Sequence, residues 1–452
     1  MERIQRVAVI GLGKLGSPMA AAIAARGVEV IGVDVDPRKV ADINQKVPPV
    51  YEPGLADMIK KAGDRLSATT DLYEAVLRSD ATFIVVATPS QPDGHFSLDY
   101  VLSAAQVIGQ ALKAKNEWHI VVVTSTVSPL SMDEHIRPYL ETVSQKQAGR
   151  DFGLAYNPEF IALGSVLRDF LNPDLVLIGE SDKRTGDLLE DFYRRVVENN
   201  PAFARMNFIN AELTKLSINT FVTTKITFAN MLARLCERLP GADVDVVTAA
   251  LGRDSRIGGR YLKGAISYGG PCFPRDNLAL IAVARQVGVV AEVAESTDHL
   301  NRELNRWLAT LVAYHRPPNG QIGILGLAYK QGSDVVEESP GLYLARYLAE
   351  QGLPVIAYDP AAQANAQRLL GARVEWAPSA SACIERSDVV VVTTTWSEFR
   401  EIPPEIWQRP SYPRKVIDCW RFLPELATLA DVTYIPLGKG GIPVPQPLSI
   451  PS

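Results

Sequence analysis

Cys272 stands in the run GGPCFPRD, with glycines and a proline before it, a phenylalanine and a second proline after it, and Asp276 four residues on. A thiol in such a run is either a small hydrophobe in a tight turn or a nucleophile held still by a stiff loop. A second candidate pair, Lys215 and Asn219 in AELTKLSIN, lies four residues apart and shares one face if the segment is helical. A lysine so placed can stabilise negative charge on a reacting oxygen, or it can be an ordinary solvated side chain. The third set is GLGKLG, which supplies Gly11, Gly13 and Gly16, with Asp34 following in VEVIGVDVDP.

The glycine set needs a strand before it and a helix after it, and the sequence provides both. RVAVI reads as a buried strand, SPMAAAIAARG as a helix of small residues, and VEVIGVDVDP as a second strand ending in acid. In that context Gly11 permits the tight turn, Gly13 lets the backbone approach a pyrophosphate, and Gly16 allows close packing of helix on strand. The helix N-terminus faces the phosphates. Asp34 can accept hydrogen bonds from the adenosine ribose and repel a 2′-phosphate, which favours NAD; Arg38 and Lys39 lie close enough to weaken that preference, and Lys39 is itself a candidate cofactor contact. Two further strand patterns, ATFIVVATP and HIVVVTSTV, present Thr88 and Thr126 where an open parallel sheet meets its ligand, with simple strand-end capping as the alternative role.

The same order of elements recurs near the other end. QIGILGLAYK echoes RVAVIGLGKLG, LPVIAYDP echoes VEVIGVDVDP, and SDVVVVTTTW echoes SDATFIVVATP. The fold class predicted is α/β, with two Rossmann-like parallel-sheet domains joined by a long central helix and a helical dimerisation segment. The second copy keeps Gly323 and Gly326 but reads Ala328-Tyr329-Lys330 where the first has Gly13-Lys14-Leu15, so it is expected to bind something other than NAD, with Lys330 as a charge for phosphate. Between the copies, residues 207–239 have helical periodicity without glycine or proline, and an exposed apolar helix of that length is expected to bury itself against a partner subunit. The domains expected are 1–205, 206–305 and 306–452.

Composition excludes several functions. A chain of 452 residues with 47% hydrophobic residues, 21% charged residues and a net charge of -5 is globular and has no basic footprint for nucleic acid or anionic lipid. No apolar run is long enough to span a bilayer and no export signal is recognised, so a cytoplasmic protein with no membrane partner is expected. Cys236, Cys272, Cys383 and Cys419 are scattered and form no CxxC pair, which disfavours disulfides and a metal site.

Taken together, GLGKLGSPMA, STV, NPEF, AELTKLSIN, RIGGRYLKGAISYGGPCFPRD, GLAYKQGSD and VIDCWRF resemble, in order and over essentially the whole chain, the UDP-glucose/GDP-mannose dehydrogenase family. The resemblance implies oxidation of a sugar C6 alcohol to a carboxylate, two NAD reduced per turnover, and a covalent intermediate on Cys272. That chemistry is coherent: a thiolate adding to an aldehyde gives a thiohemiacetal from which a second hydride can leave, and the resulting thioester is hydrolysed. By position in the family's motifs, Lys215 would stabilise oxyanions, Asn219 would orient the sugar or a water, and Asp276 would position Lys215 or the hydrolytic water. Glu159 would act as base or water-holding group, with Thr126 holding a water nearby. Phe160, Arg256, Lys263, Gly269, Phe273, Lys330 and Arg421 would contact the nucleotide sugar, with Arg256 reaching the neighbouring subunit of a homodimer built on the central helix and able to assemble further.

The chain departs from the family pattern at three places. Leu163 replaces a second glutamate after NPEF, Pro271 replaces the serine or histidine common before the cysteine, and Glu337 stands where many members have an arginine near the cofactor. These leave the reaction type intact and loosen the choice of sugar and base; CFP favours a glucose-type substrate, UDP-glucose first, with TDP-glucose, GDP-mannose or a UDP-acetamido sugar as alternatives. A single-step hydroxyacid dehydrogenase and a silent nucleotide-sugar sensor are the competing readings; neither requires both the cysteine loop and the second Rossmann copy.

Overall fold

The fold is that of a computed structural model, which describes residues 3–409 and 412–443. The first eight strands are β1 (Arg6–Ile10), β2 (Glu29–Val33), β3 (Leu66–Thr69), β4 (Ala81–Ile84), β5 (Ile120–Val123), β6 (Gly153–Tyr156), β7 (Leu175–Glu180) and β8 (Ala202–Met206). They form one sheet in the order β3-β2-β1-β4-β5-β6-β7-β8, parallel throughout except where β7 runs against β6. The other six are β9 (Ile322–Leu325), β10 (Val355–Tyr358), β11 (Glu375–Trp376), β12 (Val389–Val392), β13 (Arg414–Asp418) and β14 (Val432–Pro436), in a parallel sheet ordered β11-β10-β9-β12-β13-β14. Both orders contain the 3-2-1-4-5-6 arrangement of a dinucleotide-binding fold. The repeat legible in the sequence is therefore a repeat of topology.

These strands read as unbroken apolar runs because both faces are covered. Val7 and Val9 of β1 enter one apolar layer with Phe83 and Val122, while Ala8 and Ile10 enter the other with Ile84 and Val121. The second sheet follows the same alternation, Val389 and Val391 on one side and Val390 and Val392 on the other.

The chain divides into two compact units. One comprises residues up to Ile218 with Ala282–Val289, and the other comprises Asn219–Ile281 with the residues from Val290 on. The central helix, Phe208–Arg238, is 31 residues and about 46 Å long at the α-helical rise. Its buried side carries Lys215, Asn219, Thr223 and Asn230, whereas Phe221, Phe228 and Leu235, seven residues apart, are exposed. Among the described residues, no helix is long and apolar enough to cross a membrane and no cluster of three metal-ligating side chains occurs.

Candidate active site

The first glycine turn links β1 to the helix Gly16–Ala25. Gly11 has φ +96°, and a Cβ there would lie 2.4 Å from the Val85 carbonyl oxygen. At Gly16 a Cβ would fall 1.8 Å from the Gly11 carbonyl oxygen, so helix and turn approach as closely as backbone permits. Gly16→Ala is expected to lower folding stability by about 1–3 kcal/mol, the usual scale of overpacking, with cofactor affinity falling in parallel; urea denaturation and NAD titration of the variant check it. Gly13 differs from both. Nothing lies within 4 Å of a Cβ placed on it, so the protein itself gives no steric reason for glycine there and the space is open to a ligand. Glycine at this point of the cradle fits the close approach of a pyrophosphate.

Asp34 directly follows β2 and is buried; its Oδ2 accepts from the Leu12 amide at 2.8 Å and from Lys39 Nζ at 3.1 Å, and its Oδ1 accepts from the Asp36 amide. A carboxylate has about four acceptor positions, so one remains for a ribose hydroxyl. Lys39 partly offsets the charge that would repel a 2′-phosphate, whereas Arg38 turns away to pair with Asp36 at 2.9 Å. Past the ends of β4 and β5, Thr88 Oγ1 donates to the Thr126 carbonyl at 2.7 Å, tying the two loops together.

A second cluster in the same unit surrounds Glu159. Lys215 Nζ donates to the Glu159 carbonyl at 2.8 Å and lies 4.7 Å from the centre of the Phe160 ring. The Glu159 carboxyl accepts from the Tyr193 hydroxyl at 3.1 Å, and Tyr193 also donates to Asn157. Part of the Glu159 residue remains open to solvent. Burial nevertheless lifts its carboxyl to about 7, against the opposing pull of the Tyr193 hydrogen bond and the Lys215 charge. A carboxyl poised there can act as a base near neutrality.

Two carboxylates outside the expected site residues, one of them in AELTKLSIN beside Lys215, hold this cluster's loops. Glu52 accepts from the amides of Gly164 and Val166, fixing the turn that contains Leu163, and the buried Glu212 accepts from the amides of Leu130 and Met132, fixing the segment after STV.

In the other unit, Cys272 is exposed and immediately precedes the helix Phe273–Gln286, whereas Cys236, Cys383 and Cys419 are buried. The positive end of a helix favours negative charge near it, and the thiolate is the nucleophilic form of cysteine. Burial pushes the Cys383 thiol up to about 12 and that of Cys419 well above its ordinary value, which suits inert core residues. In the first turn of the same helix, buried Asp276 accepts from Asn219 Nδ2 at 2.6 Å, so the acid's direct hydrogen bond goes to the asparagine of the expected catalytic pair.

The chain leading to Cys272 is gripped by two asparagines. Asn230 of the central helix accepts from the Ala265 amide and donates to the Ile266 carbonyl, both at 2.7 Å. Asn301, from the helix Glu292–His315, accepts from the Tyr268 amide at 2.9 Å and donates to its carbonyl at 3.0 Å. Each carboxamide thus imitates a neighbouring strand for a stretch that has none. Phe273 is set edge-on to the rings of Tyr261 and Tyr268.

The remaining expected contacts are dispersed within this unit. Arg256 is on the surface, paired with Asp254 at 2.6 Å, and Lys263 is exposed. Lys330 is half-buried beside the ring of Tyr329. Arg421, at φ +56°, is turned into structural work: its guanidinium donates twice to Asp245, at 2.7 and 2.9 Å, and to the carbonyls of Leu437 and Gly264. Those bonds take four of the five N–H groups of an arginine, so a phosphate contact at this residue would have to use the last one or displace a partner.

The two Rossmann sheets, the open glycine cradle and the exposed thiol define an NAD-linked dehydrogenase with a cysteine-bearing central segment. The chain belongs to the UDP-glucose/GDP-mannose dehydrogenase family: residues 5–197 match its NAD binding domain, 209–303 its central domain and 323–425 its UDP binding domain. It is accordingly an NAD-dependent oxidoreductase, and the reading as a silent sensor or a single-step hydroxyacid dehydrogenase is set aside. The chain is 35% identical to the UDP-glucose 6-dehydrogenase AglM of Haloferax volcanii over 88% of its length and 93% of that protein. It is 34% identical to the GDP-mannose 6-dehydrogenase of Pseudomonas aeruginosa over 94% of its length and 98% of the relative. Among solved structures, a UDP-glucose dehydrogenase from Pyrobaculum islandicum superposes with a TM-score of 0.88 at 33% identity, covering 97% of this chain and 98% of the other.

Proposed function

We propose that the enzyme oxidises the C6 hydroxyl of a nucleotide-diphosphate sugar to the carboxylate, with UDP-glucose as substrate and UDP-glucuronate as product. The observation that carries this reading is the exposed Cys272 in a braced loop, because a single hydride transfer has no use for a nucleophile, whereas the second oxidation needs one added to the aldehyde and a thiol serves. UDP-glucose is favoured by relatives that bear that name in Haloferax volcanii and Bacillus subtilis, at 35% and 33% identity. GDP-mannose is the second candidate, on the Pseudomonas relative.

Bound NAD would supply the hydride acceptor for both oxidations. Gly11, Gly13 and Gly16 would cradle its pyrophosphate, Asp34 and Lys39 would meet its adenosine ribose, and Thr88 and Thr126 would border the site. Once C6 is an aldehyde, the Cys272 thiolate adds to it, forming a C–S bond as the C=O π pair moves onto oxygen, and that alkoxide takes up the proton the thiol released on ionising. Loss of that proton and of the second hydride leaves a thioester. Water then breaks the C–S bond, giving the carboxylate and returning the thiol. Lys215 would stabilise the oxyanions in these steps, Glu159 would take the proton from water, and Asn219, held by Asp276, would orient the sugar. Phe160, Gly269, Phe273, Lys263 and Lys330 would complete the sugar and phosphate contacts, with Arg421 shaping the nucleotide site mainly through its hold on Asp245.

The same reading assigns residues 1–205 to cofactor binding, 206–305 to the catalytic segment and dimerisation, and 306–452 to the nucleotide. It takes the exposed Phe221, Phe228 and Leu235 stripe as the seam of a homodimer, with Arg256 reaching across it, and places the enzyme in the cytoplasm. The test is the molar ratio of NADH formed to UDP-glucose consumed, with the product identified by mass. A ratio of two with UDP-glucuronate is expected; a ratio of one, or an aldehyde product, would overturn the four-electron mechanism.

A further inference from the structure

The cysteine loop is braced from a second side, by the chain that follows the glycine turn of the nucleotide domain. A Cβ on Gly269 would fall 2.1 Å from the carbonyl oxygen of Glu338, and one on Gly270 would fall 2.6 Å from the ring carbons of Tyr329. The Gly270 amide donates to the Glu337 carbonyl at 3.0 Å. The two glycines before Pro271 and Cys272 are therefore fixed by what lies against them: Gly269 has no room beside the Glu338 backbone, and Gly270, at φ +88°, has none beside an aromatic ring. Two of the chain's departures from its family, Pro271 and Glu337, sit at this same contact, one on each side of the Gly270 hydrogen bond.

Tyr329 is well placed to act on the loop. It adjoins Lys330, and its own amide donates to the Val335 carbonyl at 2.9 Å, closing the segment into a compact turn. Glu338 is held at φ +51°, in the left-handed region, so this turn cannot relax away from Gly269 without changing a constrained backbone. The stretch just before it, Ala265–Tyr268, is tied to Asn230 and Asn301, so Gly269 and Gly270 follow an anchored segment and pack against the 326–340 turn. A movement of the 326–340 turn must then be passed on to the residues before the thiol.

We propose that Tyr329 is a positioning residue for Cys272: its ring, seated on Gly270, holds the thiol in its reacting place, and a nucleotide diphosphate engaged at the adjoining Lys330 tightens that hold. The inference rests on the reading of Cys272 as nucleophile and of Lys330 as a phosphate contact. It differs from a purely structural role in predicting that nucleotide occupancy is felt at the thiol through one aromatic ring.

The experiment uses the full-length enzyme and follows carbamidomethylation of Cys272 by iodoacetamide, by peptide mass, with and without saturating UDP. In the wild type, UDP is expected to change the alkylation rate by at least about fivefold, the lower end of measured site-to-site couplings. In Tyr329→Ala that response is lost although UDP still binds, and kcat for acid formation falls about tenfold to a hundredfold, the scale at which small misplacements of a reacting group are felt. KM for the nucleotide sugar changes by less than about threefold, since ground-state binding is left in place. Tyr329→Phe, which keeps the ring, restores both the response and kcat. If Tyr329→Ala is unstable, Tyr329→Leu removes the ring while keeping apolar bulk and carries the same expectations. An unchanged UDP response in the variant would mean that UDP shields the thiol directly and would overturn the proposal, as would an unchanged kcat. Failure of the underlying reading has a separate signature, wild-type acid formation by Cys272→Ser.

Discussion

Cys272→Ser is expected to separate the two oxidations. Acid formation falls by about a thousandfold or more, the scale on which loss of a nucleophile is usually felt, while one NADH per enzyme and a nucleotide-sugar aldehyde still appear. The asymmetry follows from chemistry. Oxidation of the alcohol needs a base and a hydride acceptor, neither of which is the thiol, whereas a free aldehyde has no electron pair positioned to expel a second hydride until a nucleophile adds to it. A serine hydroxyl is far less acidic than a thiol and gives a poorer adduct, and Cys272→Ala gives none. Cys236→Ser is the control, since that thiol is buried and burial raises its pKa. Quenched-flow measurement of NADH and of aldehyde trapped with a hydrazine checks all of this, and wild-type acid turnover in Cys272→Ser would remove the covalent mechanism.

How much of this was readable in advance depended on whether a residue's reason for being there was local. Gly11, Gly13, Gly16 and Asp34 were legible because strand, turn, helix and acid lie within one short stretch and each is explained by its neighbours. The second copy shows where that stops. Gly326 repeats Gly11, with φ +108° against +96°, but the glycine that meets its carbonyl oxygen is Gly341, fifteen residues on (341 − 326) rather than five (16 − 11). The intervening turn is the one that reaches the cysteine loop, so the longer spacing hid both the glycine and its purpose.

Groups that act through distant partners left still less trace. Asn230 and Asn301 read as ordinary polar residues on helices, and only the fold reveals that each serves as a missing strand. Tyr193 reads as a core aromatic of an amphipathic helix, yet its hydroxyl meets Glu159. Arg421 shows the converse, since position in a motif implies a ligand contact and gives no hint that its guanidinium also donates twice to Asp245, 176 residues away. Lys215 and Asn219 share one helix face, but their hydrogen bonds lead to different elements, the Glu159 carbonyl and the Asp276 carboxylate.

Glu159→Gln is expected to stop the reaction one step later than the cysteine variants. Thioester hydrolysis slows by about 10²–10⁴-fold, the range for loss of a general base, so the acylated enzyme accumulates and NADH appears as a burst of two per active site. The pH dependence supplies the sharper test. Burial raises this carboxyl from an ordinary 4.5 to about 7, so the basic form appears only as pH climbs through 7, and hydrolysis rises with it. The stability linkage runs the other way: because the fold binds this proton more tightly than the unfolded chain does, the stabilisation is fully present below about 4.5 and is lost as pH rises through about 7. Faster turnover and lower stability should therefore develop over the same interval. Tyr193→Phe removes a hydrogen bond that lowers the Glu159 pKa and should move the activity inflection to higher pH, while Glu159→Gln should abolish it. Retention of the same inflection in Glu159→Gln would transfer the base to another group and leave Glu159 as the residue whose carbonyl holds Lys215.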